Sequence, residues 1–170
     1  MSRPAAGDFP PYFARYIARV EADSIAEAID QYAAEMEVFY TGLPEDKADY
    51  AYAPGKWTLK ELLQHVIDAE RIFAYRILRI SRNDSTPLPS FDEDSYVLYS
   101  GAASRSFASI KEEFIAVRKS TDLLLRSLTE EQYKRSGVAS NLPVTVNAIG
   151  FILFGHLLHH KQVLHEKYGV

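Results

Sequence analysis

VNAIGFILFGHLLHHKQVLHEK, residues 146–167, is apolar nearly all the way round a helical wheel and holds four of the chain's five histidines. A helix of this kind lies at the centre of its domain or is covered by a partner. Ile149, Ile152 and Val163 form one stripe, and His156 and His160, four residues apart, stack within it about 40° from each other. His159 falls on the other flank of that stripe, and His165 points to the opposite side. Phe151, Phe154 and Leu158 make a second apolar face, which predicts a dimer interface unless the N-terminal segment covers it. The fifth histidine, His65, lies far upstream.

Working outward, helical periodicity dominates the chain. A short piece, Tyr12 to Val20, follows Pro10-Pro11. The first long helix starts after Asp23-Ser24, carries Ile25, Ala28, Ile29, Tyr32, Met36 and Phe39 at i, i+3/i+4 spacing, and stops at Gly42 and Pro44. The second starts at Thr58. There Thr58 and Glu61 form a capping-box pair, in which hydroxyl and carboxylate each satisfy an orphan backbone N–H. Its stripe is Leu59, Leu62, Leu63, Val66, Ala69, Phe73, Ile77 and Ile80. The third, about Ala103 to Leu128, repeats apolar residues over three heptads. No convincing strand pattern is found. Four amphipathic helices predict an all-α four-helix bundle, with residues 1–170 as a single domain.

The connection from Ser81 to Ala102 is far longer than most helix–helix connections. Either it is a surface loop, or it runs back along a helix, making helices two and three parallel. The second case gives an up-down-down-up bundle with a long crossover, and it sets helices two and four antiparallel.

The composition narrows the function. A net charge of −4 argues against a nucleic-acid footprint. The absence of cysteine excludes disulfides, thiolate metal ligands and a cysteine nucleophile. No apolar run approaches the length of a membrane span, and no signal-peptide pattern stands at the N-terminus. The expectation is a cytoplasmic protein with no nucleic-acid or membrane partner.

The histidines carry the chemistry. Two imidazoles at i, i+4 in an apolar stripe need partners for their ring nitrogens once buried, and a shared cation satisfies one nitrogen from each. With helices two and four antiparallel, His65 and His160 stand at the same depth, each about 10 Å in by helical rise. A His65/His156/His160 metal site follows; the alternative is a polar cluster in the core. Three imidazoles leave coordination positions open, the pattern of a catalytic site, and Zn²⁺, Ni²⁺ and Fe²⁺ all accept them. Glu70, on the core side of helix two, is either a proton acceptor at that site or the partner of an arginine such as Arg118. Arg71 and Arg76 either bind an anionic substrate or cover the edge of the bundle with their stems.

Three stretches bring a family into view: GKWTLKELLQHVIDAERIFAYRILRISR (residues 55–82), PLPSFDEDSYV (87–97) and GHLLHHKQVLHEKY (155–168). With them the chain resembles the DinB-like superfamily of metal-binding four-helix bundles, specifically its second group. The resemblance implies nickel or zinc on His65, His156 and His160, an up-down-down-up bundle, and a homodimer. It also implies one of several activities, since relatives include transferases and isomerases that use a low-molecular-weight thiol, and metal-dependent hydrolases. The leading expectation is therefore a metal-dependent enzyme acting on a small molecule, with a thiol or a water as nucleophile. The rival is a non-catalytic dimeric bundle that works through protein contacts.

Overall fold

The computed structural model describes residues 2–170. Its elements are α1 (Ala14–Ile17), α2 (Ile25–Thr41), α3 (Leu59–Ser81), α4 (Glu93–Tyr99), α5 (Phe107–Arg126), α6 (Glu130–Lys134), β1 (Ser136–Ala139), β2 (Leu142–Thr145) and α7 (Val146–Val163), with a wide closing turn over Leu164–Tyr168. The bundle consists of α2, α3, α5 and α7. Their starts are set by hydroxyl caps: Ser24 on α2, Thr58 with Glu61 as a full capping box on α3, Ser106 on α5 and Thr145 on α7.

Side-chain pairs fix the helix directions. Lys111 meets Glu45 and Arg126 meets Asp30, so α5 runs against α2. Arg105 donates to Gln64 at 2.8 Å and Arg71 pairs with Glu113, so α5 runs with α3. Lys161 pairs with Glu35, and Gly150 faces Ile25, so α7 runs with α2. At the opposite ends of α3, the Tyr168 hydroxyl donates to the Trp57 carbonyl at 2.6 Å and Arg135 donates to the Ser81 carbonyl at 2.6 Å, so α7 runs against α3. The order is up-down-down-up, with α2 and α3 each packed between α5 and α7.

The long connection is a crossover, as this topology requires. It contains α4, a short helix the sequence did not announce, which packs on α3, and it is tied at Leu88 to a further unannounced element. That element is the antiparallel hairpin β1–β2, which pairs Ser136 with Thr145 through Ala139 with Leu142. The expectation of no strands is corrected here. Each strand is only four residues long, and the turn Ser140-Asn141 has φ of 54° and 65°. Asparagine tolerates that left-handed region and serine less so, which leaves a weaker signal than Asn-Gly.

The second apolar face of α7 is covered from within the chain. Phe151 and Phe154 are fully buried, and α1 lies across the helix. Arg3 holds the segment in place by donating to the carbonyls of Ile17 (3.0 Å), Val20 and Ala22 (2.8 Å). Phe151 and Phe154 of the face expected to seek a dimer partner are therefore covered within the chain, and Leu158 is left half-buried.

Contact between α1 and α7 needs a residue without a side chain. A Cβ on Gly155 would stand 2.1 Å from the Tyr16 carbonyl oxygen, a backbone atom that cannot swing aside. Gly155→Ala is expected to push α1 off α7 and to lower stability by about 1–3 kcal/mol. The urea unfolding midpoint measures this; an unchanged midpoint would show that α1 is not held against α7.

Candidate metal centre

His65 projects from the second turn of α3, and His156 and His160 from the last two turns of α7. The antiparallel packing brings them to one point. The Nε2 atom of His156 lies 3.1 Å from the Nε2 of His65 and 3.1 Å from the Nε2 of His160. All three ligand nitrogens lie within 4.8 Å of one another. All three rings are buried. Trp57 tilts over His65 at 4.7 Å between centroids, Phe73 meets His156 edge-on at 5.7 Å, and Tyr16 leans on His156 at 6.0 Å.

This arrangement does not work as a hydrogen-bonded cluster. An imidazole nitrogen has one in-plane position, holding either a proton or a lone pair. His156 Nε2 can therefore make a hydrogen bond with one neighbour and must oppose the other. A cation shared by three lone pairs removes the conflict. Nitrogens bound at about 2.1 Å to one ion stand roughly 3.0–3.4 Å apart, depending on the coordination angles. The residues present fit a divalent metal.

Electrostatics keeps the donors ready. Burial pushes His65 down to about 4, with neighbouring His159 adding to the shift. Burial and the mutual repulsion of the cluster push His156 and His160 down as well. The rings are thus neutral near pH 7, the form that ligates. His159 does not join the trio; it is half-buried, edge-on to Tyr16 at 5.4 Å. His165 is exposed beside Phe39.

The three histidines line a cavity of about 370 Å³. Its walls come from α1 (Arg15, Tyr16), from α3 (Ala69, Phe73, Arg76) and from the crossover (Phe91, Glu93), closed by Ser140 at the hairpin tip.

Glu70 does not line it. The residue stands five after His65 on α3, about 140° round the wheel, and its Oε1 accepts from Arg118 at 2.8 Å. Arg118 also pairs with Asp122. Glu70 and Arg118 are 2% and 3% exposed, a buried charge pair in the α3–α5 interface. Burial pushes the Glu70 carboxyl up, and Arg118 opposes that push. The role of proton acceptor expected for Glu70 gives way to the ion pair. Arg71 does cover the edge of the bundle, paired with Glu113, whereas Arg76 turns inward. Trp57, Tyr16 and Phe91 were not singled out from the sequence as site residues. The only signal was Trp57, the chain's single tryptophan, standing directly before the α3 cap.

A bundle with this topology and an inward-facing three-histidine cluster defines a class of helical metal-site proteins. The model of the second DinB group, described as the DinB superfamily, matches residues 28–164, and the chain belongs to that superfamily. Among solved structures it is similar to YfiT from Bacillus subtilis, described as "a probable metal-dependent hydrolase with an unusual four-helix bundle topology". The two are 19% identical with a TM-score of 0.66, over 88% of this chain and 91% of that one, a likeness of fold. No curated protein matches the chain.

Both the ion pair and the depressed histidines can be tested directly. Glu70→Ala leaves Arg118 with Asp122 as its one remaining carboxylate partner and is expected to cost about 1–3 kcal/mol in urea unfolding, with metal content per folded molecule unchanged; loss of metal at full stability would return Glu70 to the site. For chelator-treated protein, the histidines set the pH dependence. The unfolded chain takes up protons first, so their contribution to stability is complete above about 6.5 and falls away as pH drops toward 4. His65 alone accounts for about 2 kcal/mol between pH 7 and pH 5. Glu70, Asp68 and Asp122, raised by burial, act in the opposite sense. The measured quantity is therefore the difference in pH slope between wild type and His65→Gln, and equal slopes would contradict a buried neutral His65.

Proposed function

We propose that the protein is a metal-dependent enzyme acting on a small molecule, with His65, His156 and His160 holding a divalent cation, zinc or nickel. The observation that carries this reading is three converging Nε2 atoms set in the wall of a cavity rather than sealed in a core. A structural site would close its sphere with a fourth protein ligand; among the described residues the candidate cluster has three members. A metal there would supply Lewis acidity, lowering the pKa of a water or thiol in its open position.

The protein's own residues do the rest. Trp57, Phe73 and Tyr16 pack against the imidazoles and fix their orientation, while Phe73, Phe91 and Ile152 give the cavity apolar walls that limit water. The likeness to YfiT, a probable metal-dependent hydrolase, supports water as the nucleophile, hence hydrolysis.

Thiol transfer is the second reading, and one feature favours it. A further cavity of about 290 Å³, lined by Tyr52, Lys56 and Asp94 among others, shares Trp57, His159 and His160 with the first. Hydrolysis needs space for one organic molecule, and transfer between a thiol and an electrophile needs space for two.

Elemental mass spectrometry on untagged protein purified without chelator tests the site. Near-stoichiometric zinc or nickel is expected in wild type and its loss in His65→Ala and His156→Ala. Wild type that is metal-free and takes up neither ion on titration would overturn the reading. Loaded protein is then assayed with ester and amide panels, and with low-molecular-weight thiols plus electrophiles; turnover in one panel alone assigns the nucleophile.

A further inference from the structure

One charge in the cavity wall is left unexplained by the histidine site. Arg76 stands eleven residues after His65 on α3, which returns it to within about 20° of the same face, roughly 16 Å further along the axis. Ala69 and Phe73, between them, line the same cavity. Helical side chains lean toward the N-terminus of their helix, so that of Arg76 leans back toward the histidines.

Arg76 is 6% exposed. Arginine stays protonated in proteins, and a buried charge is normally paired. The contrast with Arg118 is direct, since that buried arginine meets both Glu70 and Asp122. Around Arg76, among the described residues, no carboxylate stands within ion-pairing distance, and burial alone pushes its pKa down with no acid to hold it up.

Its hydrogen bonds are one-sided. Nη2 donates to the Pro89 carbonyl at 2.8 Å and to Ser140 Oγ at 3.0 Å. The crossover and the hairpin tip thus fix the guanidinium in place. Among the described residues nothing accepts from Nη1 or Nε, and neither nitrogen is sealed from open space. Arg15, exposed on α1 with no carboxylate partner, adds a second cation to the lining, against a single acid, the exposed Glu93.

We propose that Arg76 is the anion-recognition residue of this cavity, and that the substrate is a small molecule bearing a carboxylate or phosphate-type group at the end away from the histidines. The direction in which the substrate lies rests on the metal reading above; the affinity of Arg76 for an anion does not. The fixed guanidinium selects molecules long enough to reach from the trio to Nη1, and Phe73 and Ala69 shape the span between.

The test begins without metal, on the full chain. The Nε–H signal of Arg76, assigned by its loss in Arg76→Lys, is followed by NMR during titration with benzoate, phenylphosphonate and the uncharged benzamide. Saturable shifts with the anions but not with benzamide are expected, and the tighter of the two anions identifies the group. A signal that neither anion moves would overturn the proposal.

The second arm uses zinc-supplemented protein and calorimetry with a series of ω-carboxyalkyl hydroxamates beside their uncharged counterparts. The best carboxylate is expected to bind about tenfold tighter or more than its counterpart, as for hydrogen bonds to a charged group. Arg76→Met should lose that preference and leave the uncharged hydroxamate unaffected. Equal binding of each pair by wild type would sink the anion site while leaving the metal site standing. Shifts at Arg76 with no hydroxamate binding would do the reverse.

Discussion

The three Nε2 atoms that meet near His156 impose the constraint on which the other features of the structure depend. The Nε2 atoms of His65 and His160 are each held 3.1 Å from that of His156, more than its one ring position can satisfy, in a buried setting where an unmet polar group is costly. Packing holds them there. His156 and His160 are fixed relative to each other by one turn of α7, and His65 reaches them only because α3 runs antiparallel to α7 at matching depth. Aromatic rings then press on two of the three imidazoles. That antiparallel pair rules out simple up-down-up-down alternation. With α5 also running with α3, as the pairs Arg105–Gln64 and Arg71–Glu113 show, the chain must leave α3 and travel back before starting α5.

Helix α3 serves three neighbours with three faces. Its apolar stripe enters the common core. Glu70 turns to α5 and meets Arg118 in a pair from which water is excluded. His65, Ala69, Phe73 and Arg76 turn to the cavity beside α7. Such a helix is stable only if the charged groups on different faces stay apart. The wheel separates Glu70 from His65 by about 140°, which keeps the carboxylate out of reach of the histidines and leaves the cavity wall with an excess of positive charge.

How much of this was legible in the sequence depended on whether the determinants were local. The capping box at Thr58 and Glu61, the i, i+4 spacing of His156 and His160, and the heptads of α5 lie within single helices, and each predicts a feature the structure has. Crossover and helix directions were legible from one long connection and the ligand geometry it had to permit. What escaped depends on contacts between distant segments. Gly155 carries no mark that the Tyr16 carbonyl will lie against it. Arg71 and Arg76 look alike in sequence, and only the placement of Pro89 and Ser140 turns one inward while Glu113 draws the other to the edge. Glu70 was left between two roles because its partner lies on another helix.

An up-down-down-up bundle cannot avoid a long connection between its two parallel helices. Here that connection closes one side of the cavity: Leu88 is tied to the hairpin, Pro89 accepts from Arg76, and Phe91 and Glu93 form a wall. The histidine end of the cavity therefore stands on two helices, α3 and α7, whose spacing the core sets. The opposite end stands on a loop and a hairpin tip, which can change length and sequence at little cost to that core. The three histidines are thus placed by the packing of α3 on α7, while the far wall of the cavity is built from the segment that the topology requires, anchored to the core at Leu88.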